Sequence, residues 1–279
     1  MKIAIVGLGL IGGSMALDLK KTGFASQVVG VDHQTKHADR ALELGVVNEV
    51  MPLDQAIAAC EVIILAIPVQ SIASLLPTVM DQVDRQSVIE VGSTKQQIVD
   101  SIASHPKRAR FLSTHPMAGT EFSGPDAAIH DLFQDKTVIF CDSDRTSQQT
   151  VSVISKLYEA LGMRIIHMDA LNHDLHAAYV SHISHISSFA LALTVLQKEK
   201  DETNIFNLAS GGFDSTVRLA KSASSMWTPI FQQNAENILN VLDTYIQELY
   251  RFRKAIETQD PAGIDLLIRK ANEIKKILK

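Results

Sequence analysis

The sequence predicts an α/β chain: a doubly wound, mostly parallel sheet over residues 1–168, followed by an all-helical segment over 169–279. Three observations carry that expectation. Seven short runs rich in Val and Ile alternate with helix-patterned stretches before residue 168. Several of these runs lack polar alternation, as strands buried on both faces of a parallel sheet do. After residue 168 no strand-like run follows, and apolar positions recur at helical spacing.

Taken in order, the runs are KIAIV (2–6), QVVGVD (27–32), EVIILAI (61–67), SVIEV (87–91), RFLSTH (110–115), KTVIFC (136–141) and MRIIHM (163–168). Helical patterns lie between them at 11–22, 35–44, 70–82, 95–104 and 147–161. Alternation of this kind builds a sheet with helices on both faces. Beyond 168, spacing predicts helices over 170–199, 201–209, 225–257 and 260–278, interrupted by SGGF at 210–213. In the last of these, Ile264, Leu267, Ile268, Ala271, Ile274 and Leu278 form an i, i+3, i+4 stripe. Pro261 after Asp260 suits the first turn of that helix. Helices this thinly assembled must pack their apolar faces on something. A homodimer through the helices after 225 is expected; packing on the first domain is the alternative.

Composition narrows the function classes. With 46% apolar and 20% charged residues in 279, the chain has ample material for a core. A net charge of -5 and a pI near 6.0 argue against the broad basic face that nucleic acid needs. The longest apolar stretch, 186–196, is broken by Ser187, Ser188 and Thr194 and falls short of the ~18 residues that span a bilayer. The N-terminus opens directly on a strand, without the basic and apolar regions of an export signal. Cys60 and Cys141 sit in apolar surroundings, as buried thiols of a reducing compartment do. A cytoplasmic protein is expected, with neither a membrane nor a nucleic-acid partner.

Gly7-Leu8-Gly9-Leu10-Ile11-Gly12 follows the first strand and opens a helix. In that context the pattern marks a Rossmann-type dinucleotide site. Gly7 makes the tight turn, Gly9 lets backbone approach a pyrophosphate, and Gly12 permits close helix–strand packing. Leu10 and Ile11 begin the helix whose unpaired N–H groups face the phosphates. Asp32 ends the second strand 20 residues after Gly12, placed to accept both ribose hydroxyls and to repel a 2′-phosphate. NAD is therefore expected over NADP, with Lys36 the nearby cation that could alter the preference. Pro68, in AIPVQ at a later strand's carboxyl end, falls where the nicotinamide half should lie.

Ser93, Thr94, Lys95 and His115 form the clearest polar cluster at strand ends. A histidine there can serve as a base near neutral pH, held by a hydroxyl such as Ser93, or it can simply bond to backbone. Pro116 is expected to stop regular strand pairing after it. Five histidines crowd into 167–185. On a straight helix His173 and His182, nine residues apart, point roughly 180° away from each other, so a metal cage is not expected. His182 and His185 are expected to share a face toward a cleft, with His173 and His176 at the surface or capping. Arg218 can clamp a carboxylate, or be an ordinary surface arginine.

GLGLIGGS (7–14), VGSTK (91–95), THPMAGTE (114–121), SHISH (181–185) and GGFDSTVR (211–218), in that order, resemble the prephenate/arogenate dehydrogenases of tyrosine biosynthesis. The resemblance covers essentially the whole chain and implies a Rossmann domain followed by a helical dimerisation domain. It implies oxidative decarboxylation: His115 takes the proton of the ring 4-hydroxyl as hydride leaves C4 for the nicotinamide, and loss of CO2 aromatises the ring. Ser93 would orient that hydroxyl and the histidine, and Arg218 would bind the ring carboxylate. His185, His182, Thr120 and Glu121 would line the substrate pocket. The family often reads GFRDxTR where this chain has GFDSTVR, a departure at Asp214 and Ser215. Control by an appended regulatory domain is not expected. Two rivals share parts of the pattern. A β-hydroxyacid dehydrogenase would need a catalytic lysine in a glycine-rich helix of the second domain, and a non-enzymatic NAD sensor would not need His115, Ser93 and Arg218 together.

Overall fold

A computed structural model describes residues 1–199 and 205–277. The seven expected strands form at β1 (Lys2–Val6), β2 (Gln27–Val31), β4 (Val62–Leu65), β5 (Ser87–Glu90), β6 (Phe111–Pro116), β7 (Thr137–Cys141) and β8 (Arg164–Met168). An eighth, β3 (Glu49–Val50), pairs with Val29 and Gly30 and is too short to show a period in sequence. The sheet order is β3-β2-β1-β4-β5-β6-β7-β8. Every neighbouring pair is parallel except β6 and β7. The strand order reverses between β1 and β4, the place where such sheets open a ligand crevice.

The connections are α1 (Leu10–Lys21), α2 (Thr35–Glu43), α3 (Leu53–Ala59), α4 (Val69–Gln82), α5 (Gln96–Ser101) and α6 (Gln148–Ala160). Of these α3 was not expected, its seven residues being too few for a clear stripe. Successive strand residues point to opposite faces, so Ile3, Ile5, Ile64 and Leu112 enter one core while Ala4, Ile63, Leu65 and Phe111 enter the other. Both faces are covered, which explains the unbroken apolar runs.

Beyond the sheet come α7 (Ala170–Ala177), a π-helical turn (Ala178–His182), α8 (Ile183–Glu199), α9 (Gly211–Val217) and α10 (Ser224–Gln233). SGGF does not interrupt the helices as expected: its two glycines open α9 after an extended Ser210. Residues 201–204 of the expected 201–209 helix lie outside the described residues. Ala170, Trp227 and Ile230 belong to the sheet's second core. Packing is therefore continuous across residue 168, and Met1–Asn234 forms one compact unit. The stretch Ala170–Lys198 is long and apolar enough to cross a bilayer by length and composition, which the broken apolar run had not suggested. Its buried His173, Asp174 and His182 instead bond within this unit.

The second compact unit, Ala235–Lys279, holds α11 (Ala235–Glu257) and α12 (Pro261–Ala271). Asp260 caps α12 by accepting from the Gly263 N–H at 3.0 Å, with Pro261 in the first turn. Of the expected stripe, Ile264 and Leu267 are half-buried and Ile268 and Ile274 exposed, while Leu278 lies outside the described residues. Leu239, Leu249, Tyr250 and Ile256 of α11 are exposed as well.

A Cβ on Gly12 would lie 2.0 Å from the Gly7 carbonyl oxygen and 3.0 Å from Ile5. Gly12→Ala should therefore cost about 1–3 kcal/mol by forcing α1 away from β1. An unchanged denaturation midpoint would contradict that packing.

Candidate active site

At the end of β1 the chain turns through Gly7 at φ +97°, where a Cβ would sit 2.4 Å from the Ala66 carbonyl oxygen. Only glycine tolerates this turn. Gly9 has open space where its Cβ would be, and no side chain caps the N-terminus of α1. A phosphate could approach the first-turn N–H groups directly. The Asp32 carboxylate holds this loop: Leu8 N–H donates to Oδ2 at 3.1 Å and Gln34 N–H to Oδ1 at 2.9 Å. Each oxygen keeps lone-pair capacity for a ribose hydroxyl. The arrangement fits a nicotinamide dinucleotide.

One cavity of about 600 Å³ joins this turn to the polar strand ends. Of the residues singled out in sequence, Gly7, Gly9, Leu10, Ile11, Asp32, Pro68, Ser93, His115, Thr120, Glu121, His185 and Arg218 line it. Gly12 and His182 do not. Gly12 faces β1 and the turn, and His182 is buried with its Nδ1 3.1 Å from Asn234 Nδ2. Lys36 is not among the lining residues, whereas His33 and His37 are, 3.5 and 3.9 Å from the Asp32 carboxylate. Among the described residues no group of three or more His, Cys, Asp or Glu is placed to hold a metal ion.

His115 stands near the end of β6. The strand ends at Pro116 as expected: Pro116 is the last residue in register, opposite Val138, and one further bond follows, from the Met117 N–H to Thr137 O at 2.8 Å. Proline ends a strand without loss when the ladder asks no N–H of it. Ser93 does not hold the imidazole. His115 Nδ1 lies 2.8 Å from Nε2 of His173, and His173 Nδ1 lies 2.8 Å from Asp174 Oδ1. His173 is thus buried, correcting its expected place at the surface; His176 is exposed as expected. The π-helical turn accounts for the difference. Its extra residue shifts the helix by roughly 100°, so His173 and His182 no longer point apart and both turn inward.

Beneath His115 lies a charged pair with no solvent exposure. Lys95 Nζ donates to Glu90 Oε1 at 2.5 Å and to Thr114 O at 2.7 Å. Glu90 also accepts from Ser113 Oγ at 2.6 Å and from the Gly92 N–H at 2.7 Å. Burial, then the nearby His173, Lys95 and His182, push the His115 imidazole well below its ordinary value. Burial likewise lowers His173, and takes His182 down to about 4. All three rings are neutral near pH 7.

On the opposite wall the His185 ring stacks on Trp227, centroids 3.5 Å apart at 27°. Trp227 Nε1 is buried without a hydrogen-bond partner, a donor left for something in the cavity. Arg218 Nη1 is 3.5 Å from Glu121 Oε2 at the mouth, and Thr120 Oγ1 accepts from the Phe122 N–H at 3.3 Å. Asp214 pairs with Lys221 and Ser215 bonds to Gly212 O, so neither departure from the family motif bears on the Arg218 ion pair. Sequence reasoning missed His173, Asp174, Glu90 and Trp227. The signal for Glu90 was present: a lone carboxylate in the apolar run SVIEV, with Lys95 five residues on.

Comparison with known proteins agrees with this architecture. The family model described as the prephenate dehydrogenase nucleotide-binding domain matches residues 15–167, and that of the prephenate dehydrogenase dimerization domain matches 169–270. Prephenate dehydrogenase of Bacillus subtilis is 30% identical over 98% of this chain and 75% of its own length. The crystal structure of prephenate dehydrogenase from Aquifex aeolicus, in complex with hydroxyphenyl propionate and NAD+, superposes with a TM-score of 0.90 at 25% identity, covering 100% of this chain and 98% of that one. The structure of Synechocystis arogenate dehydrogenase gives 0.80 at 28% identity, covering all of both chains. The chain belongs to the prephenate dehydrogenase family.

If His115 acts as a base it must be neutral, and its lowered value keeps it so on the acid side of ordinary imidazole. Turnover should therefore stay level from pH 8 to below 6.5 and fall only in more acid solution. A kcat profile with its midpoint at 6.5 or above would contradict this electrostatic reading.

Proposed function

We propose, with membership of that family as the premise, that the chain converts prephenate to 4-hydroxyphenylpyruvate and CO2 with NAD as hydride acceptor. It is an NAD-dependent oxidoreductase acting on a small molecule, and the fold and cavity suit that chemistry. The observation that carries the proposal is the neutral, buried His115 opening onto the same cavity as the glycine-rich turn. When bound, NAD supplies the acceptor for the hydride leaving ring C4. In this reading Gly7, Gly9, Leu10, Ile11, Gly12, Asp32 and Pro68 hold the dinucleotide. His115 takes the proton of the 4-hydroxyl and Ser93 orients that hydroxyl. Arg218 exchanges Glu121 for the ring carboxylate through charge-assisted bonds. His185, Thr120 and Glu121 border the substrate side chain, and His182 supports the pocket from behind through Asn234.

Residues 1–168 serve as the dinucleotide-binding part and 169–279 as the substrate and dimerisation part. The exposed Leu239, Leu249, Tyr250 and Ile256 support a homodimer through α11; light scattering at twice 30.5 kDa would bear this out, and a monomer would refute it. The free, buried Cys60 and Cys141 suit a reducing, cytoplasmic setting. A second reading, arogenate as substrate, draws on the full-length likeness to the Synechocystis enzyme.

Following reduced nicotinamide with each substrate tests both. Turnover with prephenate supports the proposal, turnover with arogenate alone transfers it to the second reading, and silence with both overturns it. His115→Asn should lower kcat by about 10²–10⁴-fold with NAD affinity intact. Turnover near wild type would remove His115 from its role.

A further inference from the structure

The hydrogen bonds behind His115 run in one direction. The Asp174 carboxylate accepts the N–H groups of Lys95 and Gln96 at 2.8 and 2.9 Å, so it faces the His173 ring as an acceptor too. His173 Nδ1, 2.8 Å from Asp174 Oδ1, therefore carries a proton. The His173 ring is fully buried, with the Lys95 cation among its neighbours, and stays neutral. Its Nε2 is then a lone pair. That lone pair lies 2.8 Å from His115 Nδ1, which must carry its own proton to make the bond. Only one atom of the His115 ring is left to act as a base: Nε2.

We propose that His173 and Asp174 are positioning residues that lock His115 as the Nδ1–H tautomer and aim Nε2 at the substrate hydroxyl. The inference rests on the reading of His115 as the base. In the step it serves, the substrate O–H bond breaks and its proton joins His115 Nε2. The electron pair of that bond forms the ring carbonyl as hydride departs to the nicotinamide. The resulting imidazolium keeps its Nδ1–H on His173 Nε2, and the Asp174 carboxylate beyond offsets the new positive charge. Without an acceptor at His173, the His115 proton can shift to Nε2 and the base is lost, as in other sites where an orienting partner sets the tautomer.

His173→Leu removes the acceptor and should lower kcat by roughly 10- to 100-fold, part of what a general base contributes, while KM for substrate and Kd for NAD stay within about twofold. His173→Gln, whose amide oxygen can accept from Nδ1–H, should recover most of the loss. A simple packing defect would not show this split and rescue. ¹⁵N NMR of the wild-type dimer or monomer, with the His115 ring identified by its loss in His115→Asn, should show Nδ1 protonated and Nε2 bare. Wild-type kcat in a folded His173→Leu, or an Nε2–H tautomer at His115, overturns the proposal. If the leucine variant does not fold, the wild-type spectrum decides. Wild-type turnover in His115→Asn would instead remove the base itself, whereas an inactive His115→Asn beside a fully active His173→Leu would remove only the relay.

Discussion

The buried Glu90–Lys95 pair is the interaction on which the site depends. Glu90 ends β5, and its two oxygens gather Lys95, Ser113 and the Gly92 N–H. Lys95 in turn holds the Thr114 carbonyl, one residue before His115. The Thr114 hydroxyl closes the circuit by lying 2.6 Å from both Glu90 O and the Tyr158 hydroxyl. Three segments are thereby tied together: the end of β5, the loop that carries Ser93, and the end of β6 that carries His115. Removing one partner of such a pair strands a charge in the interior, at a typical cost of about 3–5 kcal/mol. The pair's value lies in the placement it enforces.

Two different demands meet at the carboxyl ends of these strands. A dinucleotide needs exposed backbone and little side chain, which Gly7 and Gly9 supply. A neutral imidazole needs shelter from water, which burial beside His173 of α7 supplies to His115. The same burial that lowers His115 also lowers His173 and His182, so three imidazoles sit close together without mutual repulsion. The Arg218–Glu121 ion pair is partly exposed, so water shares in its solvation.

The helices after the sheet belong to this chemistry as much as the strands do. Asp174 stitches the middle of α7 to the N-terminus of α5, and Asn234 at the end of α10 donates to Asp174 O at 2.7 Å. These bonds draw the helices up to Asn234 into the same compact unit as the sheet. A change in secondary-structure content at residue 168 therefore coincides with no loss of packing. Covalent order and spatial order part company there.

The sequence by itself determined the sheet, the glycine-rich turn, and the places of Asp32, Ser93 and His115 at strand ends. Those features rest on local patterns: apolar runs for doubly buried strands, glycine where no Cβ fits, and polar residues where strands end. It also identified the family through motifs spread over the whole chain. The tertiary structure alone decided what stands behind His115. Fifty-eight residues separate His115 from His173, and a single π-helical turn changes which residues of that helix face inward. An ideal 3.6-residue period cannot register such a shift. Neither His173 in its buried place nor the unbonded Trp227 indole N–H is written in a spacing; both follow from how α7 and α10 pack in the compact unit.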